Sequence, residues 1–376
     1  MSSKVYFTNM RTKSGLSLVD KVGVLFDAAG FSELFEKDDL VAIKLHVGEP
    51  GNLAYIPPQL VRKVVDKVKA AGARPFLTDS NTLYVGRRSN AVDHTVSALE
   101  NGFTYATVGA PFIVADGLTG HEHMKVRIDG VRLKEVRIGA AIAQADAMIA
   151  LSHFKGHEAT GFGGAIKNIG MGSASRSGKQ EQHSGLKPAV RPEKCTGCGR
   201  CVKWCPTGAL SVGGDDRKAR IDPERCIGCA ECTITCNNRA IRVEWEKGQE
   251  GSLQEKMAEY ALGVVKTKEG KCGFMNFVMN VSPQCDCYAW NDAPIVPNIG
   301  ILASRDPVAI DAASADLVNQ AHALPGSAIE HIASADPHSD KLAALYPEVD
   351  WTVQLRHGER IGLGTRDYTL VMVGVV

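Results

Sequence analysis

The chain has 376 residues, 44% hydrophobic and 23% charged, and its 43 basic and 42 acidic side chains leave a net charge of +1. Such a composition belongs to a folded globular protein too long for one ordinary core, and it excludes a field strong enough to recruit nucleic acid or an acidic membrane. No apolar run approaches the roughly 18 residues of a membrane span, and the opening MSSKVYFTNMRTKSG lacks a signal peptide's apolar core, so a cytoplasmic location is expected.

From residue 1 to about 190, short apolar runs alternate with amphipathic stretches, which predicts an α/β body with a mostly parallel sheet. LVAIKLHV at 40–47 reads as a buried strand. PQLVRKVVDKVKAAG at 58–72 places Leu60, Val61, Val64, Val65 and Val68 on one helical face, with Pro58 near its start and Gly72 at its stop. RPFLTD at 74–79 and AMIALS at 147–152 read as further strands. In open parallel sheets ligands sit beyond the carboxyl ends of the strands. That rule selects Lys44 and His46 after the first strand, Asp79, Ser80, Asn81 and Thr82 after the second, and His153, Lys155 and His157 after the third. The plainer reading of Lys44 as an exposed lysine and His46 as a satisfied core histidine stays open.

His153 to His183 is the most unusual stretch, with seven glycines, three histidines and the cations Lys155, Lys167, Arg176 and Lys179. Gly161, Gly163, Gly164, Gly170 and Gly172 could admit a bulky or anionic ligand, their amides forming an anion nest, or could simply let helices pack closely. A Walker loop is absent, because five residues separate Gly172 from Gly178 and Gln180 follows Lys179, so ATP hydrolysis is rejected.

Eight of the eleven cysteines fall within 42 residues, as Cys195, Cys198, Cys201 and Cys205, then Cys226, Cys229, Cys232 and Cys236. Both runs read C-x2-C-x2-C-x3-C. PEKCTGCGRCVKWCPTGALSV at 192 aligns with PERCIGCAECTITCNNRAIRV at 223, a gapless shift of 31 residues that predicts a pseudo-twofold pair. Structural zinc ribbons use pairs of C-x-x-C set apart by long spacers, whereas three thiolates from one loop and a fourth from elsewhere suit a 4Fe-4S cubane. The segment is similar to bacterial two-cluster 4Fe-4S ferredoxins. In these the last cysteine of each run serves the other cluster, which assigns Cys195, Cys198, Cys201 and Cys236 to one and Cys205, Cys226, Cys229 and Cys232 to the second. Cys205 precedes Pro206 as in those ferredoxins, but Cys236 precedes Asn237. Residues 191–247 carry 11 basic and 8 acidic side chains, unlike a freely diffusing acidic ferredoxin, so the module reads as an electron wire fixed to a larger body.

After the insert, SLQEKMAEYALGVV at 252–265 predicts a helix, GFMNFVMNV at 273–281 a strand and NIGILAS at 298–304 another strand. A helix then begins with Asp306 as its cap and Pro307 in its first turn. The expected organisation is an α/β body from 1–190 and 251–376 interrupted by a small ferredoxin-like α+β insert at 191–250. Cys272, Cys285 and Cys287 remain. In QCDC the i, i+2 spacing puts both thiols on one face of an extended chain, which suits a shared metal or redox pair as well as inert burial.

Over nearly its whole length the chain resembles the iron-sulfur proteins called domain-of-unknown-function 362. The resemblance is carried by KLHVGEPGN, PFLTDSNTLYVGRRSNAVDH, HFKGHEATGFGGAIKNIGMGSASRSGKQEQH, the two cysteine runs, QCDC and GILASRDPVAIDAASADL. It implies a ferredoxin module within an α/β body, typical of anaerobic bacteria and archaea, without a settled reaction. GFGGAIKNIGMG is also similar to the glycine-lysine loop of nickel-pincer lactate racemases, in which a lysine, here Lys167, would hold the cofactor. That loop has a proline where this chain has Met171.

The leading expectation is a redox protein in which two 4Fe-4S clusters pass electrons to an anionic substrate, or to a further organic or metal cofactor, held near residues 153–183. His153, His157 and Lys167 are the expected catalytic residues, with His153 or His157 delivering protons and Lys155 and Lys167 binding an anion or carbonyl. Lys44, His46, Asp79, Asn81, Lys155, Arg176 and the five glycines are the expected ligand-binding residues. A redox partner protein would exchange electrons with the clusters. The alternatives are a noncatalytic electron carrier or adaptor, and nickel-pincer-like or other non-redox chemistry with structural or regulatory clusters. No nicotinamide fingerprint G-x-G-x-x-G follows a strand.

Overall fold

Five of the expected apolar runs become members of one eight-stranded sheet. The computed structural model describes residues 2–376 except 85, 184–187, 206, 227–231, 233–234, 239, 243–251 and 331–338. The sheet strands are β1 Ser3–Asn9, β2 Leu40–Lys44, β3 Arg74–Asp79, β4 Phe112–Val114, β5 Ala147–His153, β6 Cys272–Val278, β7 Gly300–Ser304 and β8 Tyr368–Met372. Their order is β8-β1-β7-β6-β5-β2-β3-β4. β7 runs antiparallel to both of its neighbours, and every other pairing is parallel. The α/β fold with a mostly parallel sheet is therefore observed, and the sheet draws its strands from both sides of the cysteine-rich segment.

β5 and β6 are buried at every position, because helices cover both faces, and strands of this kind read as unbroken apolar runs. Successive side chains still alternate between faces. Ala42, Met148, Ala150 and Phe274 join one core with the helices Ser252–Lys266 and Pro307–Gln320. Val41, Ile43, Ile149, Leu151, Met275 and Phe277 join the other, with the helices Leu18–Ala28 and Pro58–Ala70. The Pro58–Ala70 helix buries the five expected residues, Leu60, Val61, Val64, Val65 and Val68. Each contributes roughly 1.5–3 kcal/mol on burial. Asp306 caps its helix as expected, its carboxylate accepting from the N–H groups of Val308 and Ala309.

The cysteine-rich segment has a small core of its own, built around Leu210, Ala219 and Ile241 with Cys201 and Cys232. Two short antiparallel ladders frame it, Leu210–Gly213 with Lys218–Ile221 and Ala189–Val190 with Ile241–Arg242. The sequence repeat is visible in the hydrogen bonds. The pair Leu210↔Ile221 maps onto Ile241↔Val190 under the 31-residue shift. Likewise Asp222 N–H donates to Ala209 O, and Arg191 N–H donates to Ala240 O, both at 2.7 Å. Among the described residues no helix is long and apolar enough to cross a membrane.

Candidate functional site

Two constellations stand apart in the molecule, one in the cysteine-rich segment and one at the carboxyl end of the parallel strands. In the first, Cys195, Cys198, Cys201 and Cys236 line one cavity, with Val212, Ala219 and Ile241 on its apolar side. The first three come from one loop, whose reversals use the left-handed glycines Gly197 and Gly199. Cys236 arrives from the second half of the repeat. Backbone amides face the sulfurs: Ala219 N–H donates to Cys195 Sγ at 3.3 Å and Ala240 N–H to Cys236 Sγ at 3.2 Å. Burial and the adjoining Cys236, Cys198 and Cys195 push the Cys201 thiol up. In the other half, Cys205 Sγ accepts from Ala209 N–H at 3.2 Å, the repeat-related counterpart of the Cys236 contact. Cys226 and Cys232 are described, whereas Cys229 lies outside the described residues. Among the described residues no group of three or more His, Cys, Asp or Glu side chains is arranged to hold a single metal ion.

The second constellation begins where β2, β3 and β5 end. Lys44 Nζ, 1% exposed, lies 2.9 Å from Asp79 Oδ1 and donates to Asn168 Oδ1 at 2.8 Å. Asp79 also meets Arg88 at 3.2 Å, and Arg88 reaches Glu49 at 2.8 Å. Asn81 turns away from this chain of ions and donates to Asp116 Oδ1 at 2.9 Å. Burial works against the Asp79 carboxylate, but Lys44, His94, His46 and Arg88 outweigh it and hold its pKa well below the usual range.

His153 Nδ1 lies 2.9 Å from Asp286 Oδ1, while its Nε2 faces the carbonyls of Met279 and Asn280 at 3.0 Å. Lys155 Nζ pairs with Asp286 Oδ2 at 2.9 Å. Both of these expected site residues are thus engaged by Asp286, the residue between Cys285 and Cys287.

Lys167 is treated differently. It sits on the short helix Ala165–Gly170, whose first amides are held by the buried Asp311 carboxylate at 2.6 and 2.9 Å. Burial pushes Asp311 up to about 6 despite its hydrogen bonds from Asn276, Ile166 and Ala165. Asn168 ties the next position to Leu151 O at 3.0 Å. So anchored, the helix brings Lys167 Nζ to 3.4 Å from Cys285 Sγ. Among the described residues Lys167 has no carboxylate within ion-pair distance. Burial opposes its charge, but Cys285 and Cys287 hold its pKa above the ordinary lysine value.

The two sulfurs of Cys285 and Cys287 are 3.0 Å apart and hydrogen-bonded. Cys285 is pulled well below the usual thiol value by the hydrogen bond it shares with Cys287, against burial, and further by Lys167 and His157. The same hydrogen bond, burial and the Cys285 charge push Cys287 up. His46 completes the group with Nε2 3.8 Å from Cys287 Sγ. The loop is clamped from several sides: Gly156 N–H donates to Ser282 O at 2.8 Å, Tyr346 Oη to Pro283 O at 2.8 Å and Tyr288 Oη to Glu158 at 3.0 Å.

The glycine-rich stretch is packed against the protein itself. A Cβ at Gly161 would stand 2.2 Å from Trp351, one at Gly164 2.2 Å from Asp311, and one at Gly170 2.2 Å from Met257 O. At Gly172 it would meet Asn168 O at 2.3 Å and Lys44 Nζ at 2.4 Å. Gly163 alone of the five meets only the flexible ends of Lys167 and Lys155. Arg176 opens the helix Arg176–His183, its N–H donating to Gly120 O at 3.2 Å beside the insert's edge, where Trp204 stacks on His121 at 5.0 Å. Lys179, buried and pulled down to about 8 by that burial, donates to Ala174 O at 2.6 Å. Residues that local reading did not single out are Glu49, Arg88 and Asp286. Their signal was charge embedded in GEPGN, VGRRSN and QCDC, next to the strand ends.

The model of a family described as "Domain of unknown function (DUF362)" matches residues 41–316. No curated protein matches the chain. Among solved structures, the lactate racemase apoprotein from Thermoanaerobacterium thermosaccharolyticum is 14% identical, with a TM-score of 0.37 over 74% of this chain and 51% of that one. A protein from Thermotoga maritima is 9% identical, with a TM-score of 0.38 over 78% of this chain and 57% of that one. The chain therefore spans little more than half the length of either structure.

Proposed function

The chain belongs to the domain-of-unknown-function 362 family, a description that assigns no reaction, and from its geometry we propose an iron-sulfur redox protein. In this reading two 4Fe-4S clusters carry electrons to a substrate or cofactor in the α/β body, beside His157, Lys167 and the Cys285–Cys287 pair. The observation that supports it most is the single cavity lined by Cys195, Cys198, Cys201 and Cys236, a set drawn crosswise from both halves of the repeat.

The residues fit such a group. Thiolates crowded in one cavity repel one another unless a cationic centre binds them all, and the amides of Ala219 and Ala240 already point at two of the sulfurs. Cys205, Cys226, Cys229 and Cys232 would hold the second cluster. When bound, each cluster supplies one electron at a time. Around them the chain excludes water with Val212, Ala219 and Ile241, and the Trp204 stack on His121 ties the segment to the body. A redox partner protein would load or unload the clusters. The buried ion network at the strand ends gives the body a polar centre of its own, separate from the insert.

Anaerobic purification followed by iron and acid-labile sulfide analysis tests the proposal. About eight of each per chain is the expected result. Zinc alone, in a colourless protein, would overturn it.

A further inference from the structure

We infer that Cys285 and Cys287 are a redox-active pair that cycles between dithiol and disulfide, forming the two-electron store of the α/β body. The electron source rests on the cluster reading above, whereas the pair's chemistry does not.

The geometry places the two sulfurs for bond formation. The sulfurs stand 3.0 Å apart on a loop clamped by Ser282, Pro283 and Tyr288, so they meet with little backbone movement. Cys285 Sγ accepts from Lys167 Nζ and from the Cys287 backbone N–H, each at 3.4 Å. Two histidines serve the two sulfurs in the same way. Gly48 N–H donates to His46 Nδ1 at 3.0 Å, and Ala159 N–H donates to His157 Nδ1 at 3.2 Å. A ring whose Nδ1 accepts carries its hydrogen on Nε2. His46 therefore presents that hydrogen toward Cys287, and His157 is among the groups that lower the proton affinity of Cys285.

Exposure separates the roles. Cys285 is 2% exposed, while Cys287 is half-buried, the more accessible residue of the two. An incoming thiolate attacks the Cys287 sulfur of the disulfide, and Cys285 leaves as a thiolate beside the Lys167 ammonium, a leaving group favoured by its low proton affinity. Net reduction adds two electrons and one proton. The sulfur–sulfur bond breaks, Cys285 keeps the negative charge and Cys287 takes the proton. Oxidation reverses each change. Two one-electron clusters match the two electrons of this couple, and in solution two small thiols, becoming one disulfide, supply the same electrons. Cys272, buried and pushed up to about 12 by that burial, is the inert comparison within the chain.

The test uses the full-length protein with its native metal content, equilibrated anaerobically in glutathione buffers of graded thiol-to-disulfide ratio, then alkylated and digested. The peptide holding both cysteines is expected to pass from doubly alkylated to unalkylated and two hydrogen masses lighter, while Cys272 stays reduced throughout. Lys167→Met removes the thiolate's counter-ion and should make the pair roughly tenfold harder to reduce, and Lys167→Arg should restore most of that. A pair that stays doubly alkylated in every buffer overturns the inference, as does a Lys167→Met variant of unchanged midpoint. Iron measured on the same samples separates the two proposals. An inert pair in iron-replete protein defeats this inference alone, and a reversible pair in iron-free protein defeats the cluster reading alone.

Discussion

Asp286 and Lys155 are 2.9 Å apart in a region closed to solvent, and the same carboxylate binds His153 at 2.9 Å, so the residue between the two cysteines is the anchor of their loop. Breaking one side of a buried ion pair leaves its partner uncompensated, which costs about 3–5 kcal/mol. Asp286→Ala is expected to lower stability by that amount in urea unfolding at unchanged slope. Lys155→Met added to it should recover part of the loss, because the stranded ammonium is removed. A loss under about 1 kcal/mol would mean that water reaches the pair.

On the proposed crosswise ligation the cysteine variants are non-additive. Cys195→Ser and Cys236→Ser would then each remove a ligand of one cavity, so the double variant should lose no more iron than either single one, about half of the total. Cys195→Ser with Cys205→Ser strikes both sets and should empty both. Iron loss that instead adds for Cys195 and Cys236 would show that each run serves its own cluster.

Adjacent glycines have opposite roles. An added methyl at Gly164 meets the Asp311 carboxylate at 2.2 Å, and that carboxylate cannot move without releasing the amides of Ala165 and Ile166. Gly164→Ala should therefore cost about 1–3 kcal/mol. At Gly163 the methyl meets only the flexible side chains of Lys167, with Cδ at 2.9 Å, and Lys155, with Cε at 3.6 Å, so Gly163→Ala should leave the denaturation midpoint nearly unchanged. Its effect should appear as altered alkylation of Cys285 and Cys287. Equal destabilisation by both would contradict this division.

These glycines also show where local reading stops. Their density announced close approach, but the approaching atoms at Gly161, Gly164 and Gly170 belong to Trp351, Asp311 and Met257, residues distant in the chain. Nothing in a local pattern says which of two surfaces will arrive. The Pro58–Ala70 helix and β3 were legible because periodicity, the proline start and flanking turns are all local. By contrast β1 pairs with β8 across almost the whole chain, and the reversed direction of β7 leaves no mark in its residues. At the site, the strand-end rule found Lys44, Asp79 and His153. It did not find the partners that neutralise them, since Arg88 and Asp286 are brought there only by folding.

His94 gives the fold a dependence on pH that can be isolated. Its ring is buried against Phe112, with centroids 5.3 Å apart, and among the described residues neither ring nitrogen has a hydrogen-bond partner, the Asp79 carboxylate standing 3.8 Å from Nε2. Burial lowers its pKa to about 3, with Arg88, Lys179 and Lys44 acting in the same direction and Asp79 opposing. The unfolded chain binds this proton near pH 6.5, so the folded state loses stability as pH falls from about 6.5 toward about 3. The slope is about 1 kcal/mol per pH unit for a single group. His94→Leu removes that proton uptake. Whatever its packing cost at pH 7, the variant should gain on the parent by that slope as the solution is acidified, read by urea unfolding at pH 7, 6 and 5. Parallel pH curves for the two proteins would mean that His94 is protonated alike in the folded and unfolded states.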